Sequence, residues 1–543
     1  MWQDERWRLV VAVAVVAVMS AVSPTPASAE AVVDRTEVDR SAVDRAGVDR
    51  AGVDRAGVDR AGVDRAGVDR AAVDPAAVDR FVAEFAEDAG YPGVAVAITK
   101  GDQVVHVAGH GHDSAGAAVT AATPMPVASV SKSFTALAVM RLVEAGKVAL
   151  DEPVRRYLPD FRVADPRGAA ITVRQLLNQT SGLSDRTLRE KSLPQPDSPA
   201  GAVVRAGQAT LATDPGTKHH YTNTNYHLAA RLVEVVSGEP FADHLRRHVF
   251  EPAGMRSTTT IGLTPRDLPH EVREGHVFAY GASVPATEPT RFVAGSDGVL
   301  TTAEDMARWL VVQSTGGRAA DGVRLVSPEG ITAMHTPSDP RWTYGMGWDT
   351  GSDGKVRHGG IWFTYSAGAL LLPSGHGIAV MTNSGVGLGN EGTGRLEEGI
   401  AALLTGGSPD SGSPTRLIID LVLAGLTLLS LALGVRNLRR SRVWAKRFAT
   451  RPVWRVALRL LPRAVPAAVL IPLPDLLGLL VGGGRDLTFV QLGYYSVALV
   501  SWLLVASALN LAVAATRIVS LARLRRPARD VPRPEASWLV PAR

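Results

Sequence analysis

The chain has 543 residues, of which 46% are hydrophobic and 20% charged, and it contains no cysteine. This composition excludes a wholly disordered chain, and the missing thiols exclude a disulfide scaffold, a cysteine nucleophile and a cysteine-ligated metal. The formal net charge of +5 is divided unevenly. Residues 416–543 hold 19 Lys or Arg and five Asp or Glu, so the preceding part carries a net charge of −9. A basic end on an acidic body favours a membrane-facing segment and argues against a nucleic-acid binder.

Residues 1–29 have the pattern of a secretory signal peptide. Arg6 and Arg8 precede an apolar run, and Ala27-Ser28-Ala29 supplies small residues for cleavage. An apolar run of about 14 residues is short for a transmembrane helix, so we expect cleavage rather than an uncleaved anchor.

Five-residue copies that mostly end in Val-Asp-Arg occupy residues 30–80. A period of five matches neither the helix nor the strand period, so no continuous apolar face forms. We therefore expect a disordered, charge-balanced spacer, with a pentapeptide β-helix or a wall-binding module as the alternative. A second linker, residues 406–415, is rich in Gly, Ser and Pro. The folded domain is then predicted over residues 76–405.

Two buried strands are predicted at the start of this domain, over residues 93–98 and 104–107, and a helix is predicted from Ala128 to Ala145. Ser129 and Lys132 are three residues apart at the start of that helix, so their side chains share a face. A serine hydroxyl needs a nearby base to become a nucleophile, and a desolvated lysine can serve. Ser-x-x-Lys alone is a weak signal, because a capping serine beside a solvated lysine gives the same spacing.

Two further motifs strengthen the catalytic interpretation. Tyr221-Thr222-Asn223 precedes a helical run, and Arg357-His358-Gly359-Gly360 precedes an apolar strand. In this order and spacing the three motifs resemble the serine β-lactamase and penicillin-binding protein superfamily, closest to its class C β-lactamase and D-alanyl-D-alanine carboxypeptidase branch. Lesser signatures agree: Leu176–Leu183, Pro252–Met255, Gly298–Asp305 and Tyr344–Trp348. The resemblance covers nearly all of residues 81–405.

The resemblance implies an α/β (α+β) sandwich, in which helices cover an antiparallel sheet and a helical subdomain lies between the first and third motifs. It also implies an acyl-enzyme mechanism with the catalytic residues Ser129, Lys132 and Tyr221. The implied substrate-binding residues are Asn223, His358, Gly359, Gly360 and Ile361. Asn223 would hold the substrate amide and orient Lys132. His358 would help to keep Tyr221 polarised and, if protonated, would meet a substrate carboxylate. The backbone N–H groups of Ser129 and Ile361 would form the oxyanion hole.

This sequence departs from the superfamily in its third motif, where Gly359 replaces the usual threonine. The lost hydroxyl often binds a carboxylate, which weakens the case for a specialised β-lactamase. The triplet Ser184-Asp185-Arg186 faintly resembles the Ser-Asp-Asn of another branch, and we interpret it as a loop.

Three transmembrane helices are predicted near the C-terminus, over residues 417–435, 464–484 and 489–513, followed by a basic tail over 514–543. Residues 436–463 contain ten Lys or Arg and no acid. The positive-inside rule places this segment and the tail in the cytoplasm, and the catalytic domain outside. Asp475 would then lie deep in the second, proline-rich span.

The sequence therefore predicts a multi-pass cell-membrane protein with an extracellular serine hydrolase domain and a cytoplasmic C-terminus. The expected substrate is a small molecule or a peptide, with peptidoglycan-derived D-alanyl peptides, esters and D-amino-acid amides as candidates. The alternative is a penicillin-binding sensor or scaffold that is acylated and turns over slowly. No cofactor and no metal are expected, and the oligomeric state is left open.

Overall fold

The computed structural model describes residues 74–389, 392–410, 414–480 and 484–525. The predicted signal peptide and nearly all of the predicted spacer lie outside the described residues. A helix begins at Pro75, next to the predicted start of the folded domain at residue 76. Val78, in the last five-residue copy, is buried in the core of the domain, so this copy belongs to the folded part.

Thirteen strands are described between Gly93 and Thr382, and six of them build the central sheet. Their bounds in chain order are β1 Gly93–Lys100, β2 Gln103–Gly111, β3 Met125–Pro126, β4 Thr259–Thr260, β5 Leu263–Thr264, β6 Gly275–Ala279, β7 Ala282–Ala286, β8 Arg291–Phe292, β9 Val299–Thr301, β10 Asp349–Thr350, β11 Val356–Ile361, β12 Ser366–Leu371 and β13 His376–Thr382. The central sheet has the order β10-β11-β12-β13-β1-β2. All of its pairs are antiparallel, as the sequence predicted.

Helices cover both faces of this sheet. Those of the catalytic domain are α1 Pro75–Ala89, α2 Ser131–Glu144, α3 Val173–Leu177, α4 Pro199–Ala206, α5 Asn223–Ser237, α6 Phe241–Leu245, α7 Ala303–Ser314, α8 Pro328–His335 and α9 Gly394–Leu404. Gly377 of β13 lies against Leu310 of α7, while Gly368 of β12 lies against Glu397 of α9 on the opposite face. Because helices bury both faces, β1 is apolar along nearly its whole length. The predicted sandwich fold is confirmed.

The helical subdomain predicted between the first and third motifs is also present. Helices α3 to α6 lie in it, and α5 packs against α2, α3 and α4. The core that joins the subdomain to the sheet includes Phe134 of α2, whose ring stacks on Trp309 of α7 with centroids 3.9 Å apart. Helix α2 is thereby held between the sheet-covering layer and the subdomain, which places its N-terminus at the junction.

The remaining helices belong to the C-terminal part: α10 Thr415–Arg439, α11 Ser441–Phe448, α12 Val453–Leu460, α13 Val465–Leu470, α14 Leu473–Leu480, α15 Phe489–Tyr495 and α16 Val497–Arg525. Helices α10 and α16 are long and apolar enough to cross a membrane. A third crossing is available if residues 453–470 and 473–480, which meet at a bend of 59°, act as one span. The second apolar segment thus begins earlier than predicted, and the third is divided at Ser496.

Asp475, which would lie deep in the second predicted span, has a charged partner in the structure. Its side chain is 63% exposed and forms an ion pair of 2.6 Å with Arg189 of the catalytic domain. The bend before Leu473 turns α14 toward that domain, which is why the carboxylate meets an arginine from a distant part of the chain.

Candidate active site

Ser129 lies on a tight turn immediately before α2. The turn spans Ala128–Val130, and Ala128 has a φ of 45°, a left-handed conformation that costs a non-glycine residue about 1–3 kcal/mol. Strand β11 braces this turn, since a Cβ on Gly360 would overlap the carbonyl oxygen of Val127. The close approach explains why glycine stands at position 360, and it places the strand edge beside the Ser129 hydroxyl.

Lys132 lies one turn later and is completely buried. Its ammonium donates three hydrogen bonds, to Ser129 Oγ at 2.9 Å, to Asn223 Oδ1 at 3.0 Å and to the carbonyl oxygen of Ser296 at 3.0 Å. The ammonium therefore uses all its donors, and the shared face predicted for Ser129 and Lys132 is realised as a direct hydrogen bond.

Asp297 supplies the negative charge of the site, and sequence reasoning missed it. Its Oδ1 accepts a hydrogen bond of 2.6 Å from Ser129 Oγ and lies 3.5 Å from Lys132 Nζ. Its Oδ2 accepts bonds of 2.8 Å from Asn223 Nδ2 and from Ser296 Oγ. A signal was available, because a Gly-Ser-Asp-Gly turn interrupts two apolar stretches at residues 295–298.

The environment of Asp297 keeps its carboxylate ionised. Burial by itself would raise its pKa, but attraction by Lys132 and then by Arg291, with the hydrogen bonds from Ser129 and Ser296, holds the pKa well below the usual range. Lys132 and Asp297 form a buried, hydrogen-bonded ion pair next to the serine. Such a pair is stable only while both partners are present.

Tyr221 and Asn223 come from the second motif, at the start of α5. The Tyr221 ring centroid lies 4.9 Å from Lys132 Nζ, and the residue is half-buried. Within the described part of the chain, its hydroxyl makes no hydrogen bond. The phenol therefore lies beside Lys132, which is itself hydrogen-bonded to Ser129, and a phenol in such a place can take part in proton transfer. Asn223 joins Lys132 to Asp297 and so fixes the position of both charged groups.

The third motif lies on β11, where alternate residues face opposite sides. His358 and Gly360 are buried, whereas Gly359 and Ile361 are exposed. The N–H of Trp362 bonds to Tyr365 O across the following turn, and antiparallel hydrogen bonding alternates along a pair. The N–H of Ile361 therefore points away from β12. Strand β10 pairs only with Val356 and Arg357, so the edge beside Ser129 is open.

The surroundings of His358 favour its neutral form. Its Nδ1 bonds to the carbonyl oxygen of Gly359 at 2.7 Å, and its Nε2 accepts from the Tyr344 hydroxyl at 2.9 Å. Burial, followed by repulsion from Lys132, lowers the pKa of His358 to about 3. With both nitrogens occupied and no charge, His358 does not offer the cationic contact to a substrate carboxylate that the resemblance implied. Tyr344, a residue of a lesser signature, had been given no role.

One group of described residues has the composition of a metal site. Glu239, His244 and His248 place ligand atoms within 4.8 Å of one another. They line a cavity with Arg141 and Glu144, near the C-terminal end of α2. Ser129 is at the opposite end of this helix, so an ion bound there would not touch the reacting atoms.

Fold and site together define a serine hydrolase of the β-lactamase and penicillin-binding protein class. The family model described as Beta-lactamase matches residues 78–402, and the chain belongs to this family. It is 32% identical over 313 residues to penicillin-binding protein 4 of Amycolatopsis lactamdurans, a match that covers 54% of this chain and 81% of that protein.

Two further similarities are informative. Protein flp of Staphylococcus aureus (strain MW2) is 26% identical over 299 residues, which cover 54% of this chain and 59% of that protein. The structure of the octameric penicillin-binding protein homologue from Pyrococcus abyssi matches with a TM-score of 0.53 and 25% identity, over 63% of this chain and 79% of that one. Both matches cover little more than half of this chain.

Proposed function

We propose that this protein is a membrane-anchored hydrolase whose Ser129 attacks amide or ester carbonyls and forms an acyl-enzyme outside the cytoplasm. The observation that carries the proposal is the position of Ser129 Oγ. It lies within hydrogen-bond distance of both Lys132 and Asp297, and Lys132 in turn lies 4.9 Å from the Tyr221 ring centroid. D-alanyl peptides of peptidoglycan are the substrate class we favour, with esters and D-amino-acid amides next.

In acylation, Tyr221 acts as the base. The reacting form of Tyr221 is the phenolate, which Lys132 beside its ring stabilises. The phenolate oxygen takes the proton that Ser129 Oγ directs to Asp297 in this structure, as Oγ bonds to the carbonyl carbon. The proton then passes from Tyr221 to the leaving amine or alcohol as the scissile bond breaks. Asp297, whose Oδ1 lies 3.5 Å from Lys132 Nζ, is the counter-charge of this ammonium in both half-reactions.

The open edge of β11 holds the substrate. An extended acyl chain can add to this edge as a further strand, with backbone hydrogen bonds supplying orientation. The N–H of Ile361 points to that edge and, with the N–H of Ser129, would stabilise the oxyanion; one such donor is typically worth about 10²–10³ in rate. Gly359 has no side chain and faces open space, so a substrate can approach the strand closely.

In deacylation, a water molecule replaces the leaving group. Tyr221, again as the base, takes a proton from this water while the water oxygen bonds to the acyl carbon. The Ser129 ester bond breaks, and the proton returns to Oγ. The same residues thus serve both half-reactions, as microscopic reversibility requires.

The direction of the C-terminal helices supports the proposed membrane topology. Trp502 of α16 bonds to Ser430 of α10, and Arg517 bonds to Asn437 further along both helices, so α10 and α16 run parallel. Two parallel crossings need a third segment that returns between them, and residues 453–480 are the bent pair available for it. The basic segment 436–463 then lies across the membrane from the catalytic domain, which agrees with the positive-inside rule.

The catalytic proposal is tested with the full chain in detergent micelles. Benzylpenicillin is added and the intact mass is followed with time for the wild type and for Ser129→Ala. We expect an adduct in the wild type that is absent from the variant. If a serine-reactive fluorophosphonate also leaves Ser129 unlabelled, the catalytic proposal is wrong.

The topology is tested with single cysteines, which are unique because the natural chain has none. Ser408→Cys lies at an exposed position before α10, and Ser537→Cys lies in the basic tail. In intact cells we expect a membrane-impermeant maleimide to label the first variant and to label the second only after lysis. The reverse labelling would contradict the proposed orientation.

A second candidate function is a penicillin-responsive sensor. The observation in its favour is that residues of the C-terminal part contact the domain close to the site, as described below. The persistence of the adduct separates the two candidates. Loss of the adduct within seconds to minutes supports a hydrolase, whereas an adduct stable for hours supports a sensor.

A further inference from the structure

The loop of residues 484–488, which joins the bent pair to α15, lies against the catalytic domain. Asp486 anchors it, because this carboxylate is buried and accepts hydrogen bonds from the backbone N–H of Lys191 at 3.0 Å and of Ser192 at 2.8 Å. It also accepts from the Ser192 hydroxyl at 2.9 Å and from Arg189 Nε at 3.1 Å. Residues 189–192 thus direct four hydrogen-bond donors at the Asp486 carboxylate.

Arg485 precedes the anchor and reaches the active site. Its Nε donates to Asp185 Oδ2 at 2.8 Å, and its guanidinium carbon lies 5.0 Å from the centroid of the Tyr221 ring. Asp185 is fully buried while Arg485 is 26% exposed. The sequence interpreted Ser184-Asp185-Arg186 as a loop. In the structure, Asp185 of this loop accepts the hydrogen bond that holds Arg485 of the C-terminal part.

We propose that Arg485 is a positioning residue of the active site, which orients the Tyr221 ring and stabilises negative charge on its oxygen, so that the C-terminal segment completes the hydrolase. The inference rests on the proposed role of Tyr221 as the base. It makes the catalytic rate dependent on a loop between two candidate membrane spans.

The groups that face Tyr221 support this role. Lys132 of α2 and Arg485 of the loop each lie about 5 Å from the ring centroid. The other two neighbours, Tyr344 and His358, contribute aromatic rings with centroids 5.9 and 6.3 Å away and carry no charge near neutral pH. Cations near an aromatic ring are attracted to its face. Lys132 and Arg485 therefore both favour the ionised Tyr221 oxygen over the neutral hydroxyl.

The groups behind Arg485 moderate its charge without cancelling it. Asp185 neutralises part of the guanidinium charge through their hydrogen bond, while Lys191 lies 3.8 Å from the same carboxylate and adds a second positive charge. Burial lowers the pKa of Lys191 to about 8, so this side chain keeps most of its charge at neutral pH. Asp185, Lys191 and Arg485 then carry a net positive charge, while the nearby Asp486 carboxylate is paired with Arg189. Glu190, a buried neighbour, bonds to Thr224 at 2.9 Å and has Arg205 at 3.8 Å.

The first experiment measures the rate of acylation by a fluorescent penicillin from pH 5 to 9, using the full chain in detergent. Arg485→Gln should acylate about tenfold more slowly at neutral pH, and the acidic limb of its profile should move up by about one pH unit, since one unit corresponds to a tenfold change. Arg485→Lys should stay within about threefold of the wild type. Arg442→Gln, on an exposed residue of α11, is the matched control and should be unchanged.

The second experiment does not depend on activity. Tyrosine labelled with ¹³C at the ring carbon that bears the hydroxyl is incorporated, and the signal of Tyr221 among the nine tyrosines is assigned by its loss in Tyr221→Phe. The pH titration of this signal should move to higher pH in Arg485→Gln and stay near the wild-type position in Arg485→Lys. Both readouts are needed, because a merely structural role would lower stability without moving the titration.

These results separate failure of the inference from failure of the proposed function. If Arg485→Gln leaves both the acylation profile and the Tyr221 titration unchanged, the inference is overturned even though Ser129 reacts. Equal effects of Gln and Lys at position 485 would also overturn it, because the charge would then be irrelevant. If the wild type is not acylated, the proposed function fails on this probe, and the titration alone decides whether Arg485 acts on Tyr221.

Discussion

Replacing Asp297 by asparagine tests the buried charge pair on which the site is built. The substitution keeps the size of the side chain but leaves the Lys132 ammonium buried without its counter-charge. At 3.5 Å and an effective dielectric constant of about 20, the lost attraction is about 5 kcal/mol. Breaking one partner of a buried pair typically costs about 3–5 kcal/mol. We expect the free energy of unfolding to fall by about this amount.

The pH dependence of this loss has a defined sign. Because the folded pKa of Asp297 is depressed below the ordinary value of 3.8, its stabilising contribution is present above about pH 4 and is lost as the pH falls further. The stability difference between the wild type and Asp297→Asn should therefore be constant from pH 5 to 7. It should narrow below about pH 4, where the unfolded chain binds a proton that the folded protein does not.

The measurement is thermal unfolding of the full chain in detergent at several pH values, followed by intrinsic fluorescence. A loss of about 3 kcal/mol corresponds to a decrease in Tm of roughly 4 °C for a domain of this size. Glu87→Gln, which removes an exposed carboxylate from α1, is the matched control and should shift Tm by less than about 1 °C. An unchanged Tm in Asp297→Asn, or a difference that widens toward acid pH, would refute the argument.

Two further predictions concern β11. Gly360→Ala should lower the acylation rate at least tenfold and destabilise the protein by about 1–3 kcal/mol, since the added Cβ overlaps the Val127 carbonyl oxygen. Gly359→Ala is the control, because a Cβ at position 359 meets open space. Equal effects of the two substitutions would contradict the packing argument. His358→Asn should leave the acylation profile unchanged in shape from pH 6 to 8, because burial lowers the pKa of His358 to about 3 and the ring is already neutral. As the pH is lowered below about 6.5, the free energy of unfolding of the wild type should fall relative to that of this variant by about 1.4 kcal/mol per pH unit, measured by denaturant unfolding. If the difference in free energy of unfolding between the two proteins stays constant with pH, His358 is charged in the folded state.

Local patterns in the sequence predicted individual strands and helices, because each element carries its own periodicity, whereas the sandwich fold was implied by the resemblance of the three motifs. The apolar runs at 93–98 and 104–107 became β1 and β2, each extended by a few residues at its ends. The predicted end of the catalytic helix is confirmed by Gly146, which adopts a φ of 68° after the last helical residues. Such signals depend on neighbours within a few residues, so a single sequence is enough to find them.

The motifs also predicted which residues meet, although not every contact that they make. Ser129, Lys132 and Asn223 are joined by hydrogen bonds, and Tyr221 and the third motif lie beside them. His358 had been given a cationic role, which its burial and its bond to Tyr344 do not support. The protonation of a histidine depends on solvent exclusion and on charges from other elements, and these properties have no local sequence pattern.

The sequence by itself determined the class of this protein, because the nucleophile, its lysine and the spacing of three motifs specify one chemistry on one fold. It also determined the apolar C-terminal segments, since length and hydropathy suffice for them. Only the tertiary structure decided that Asp297 neutralises Lys132, that Asp475 meets Arg189, and that Arg485 lies beside Tyr221. Each of these contacts joins residues separated by more than 150 positions. Ion pairs at such separations depend on how the strands and helices are stacked, and a charged residue in a turn looks the same in sequence whether it faces water or a buried partner.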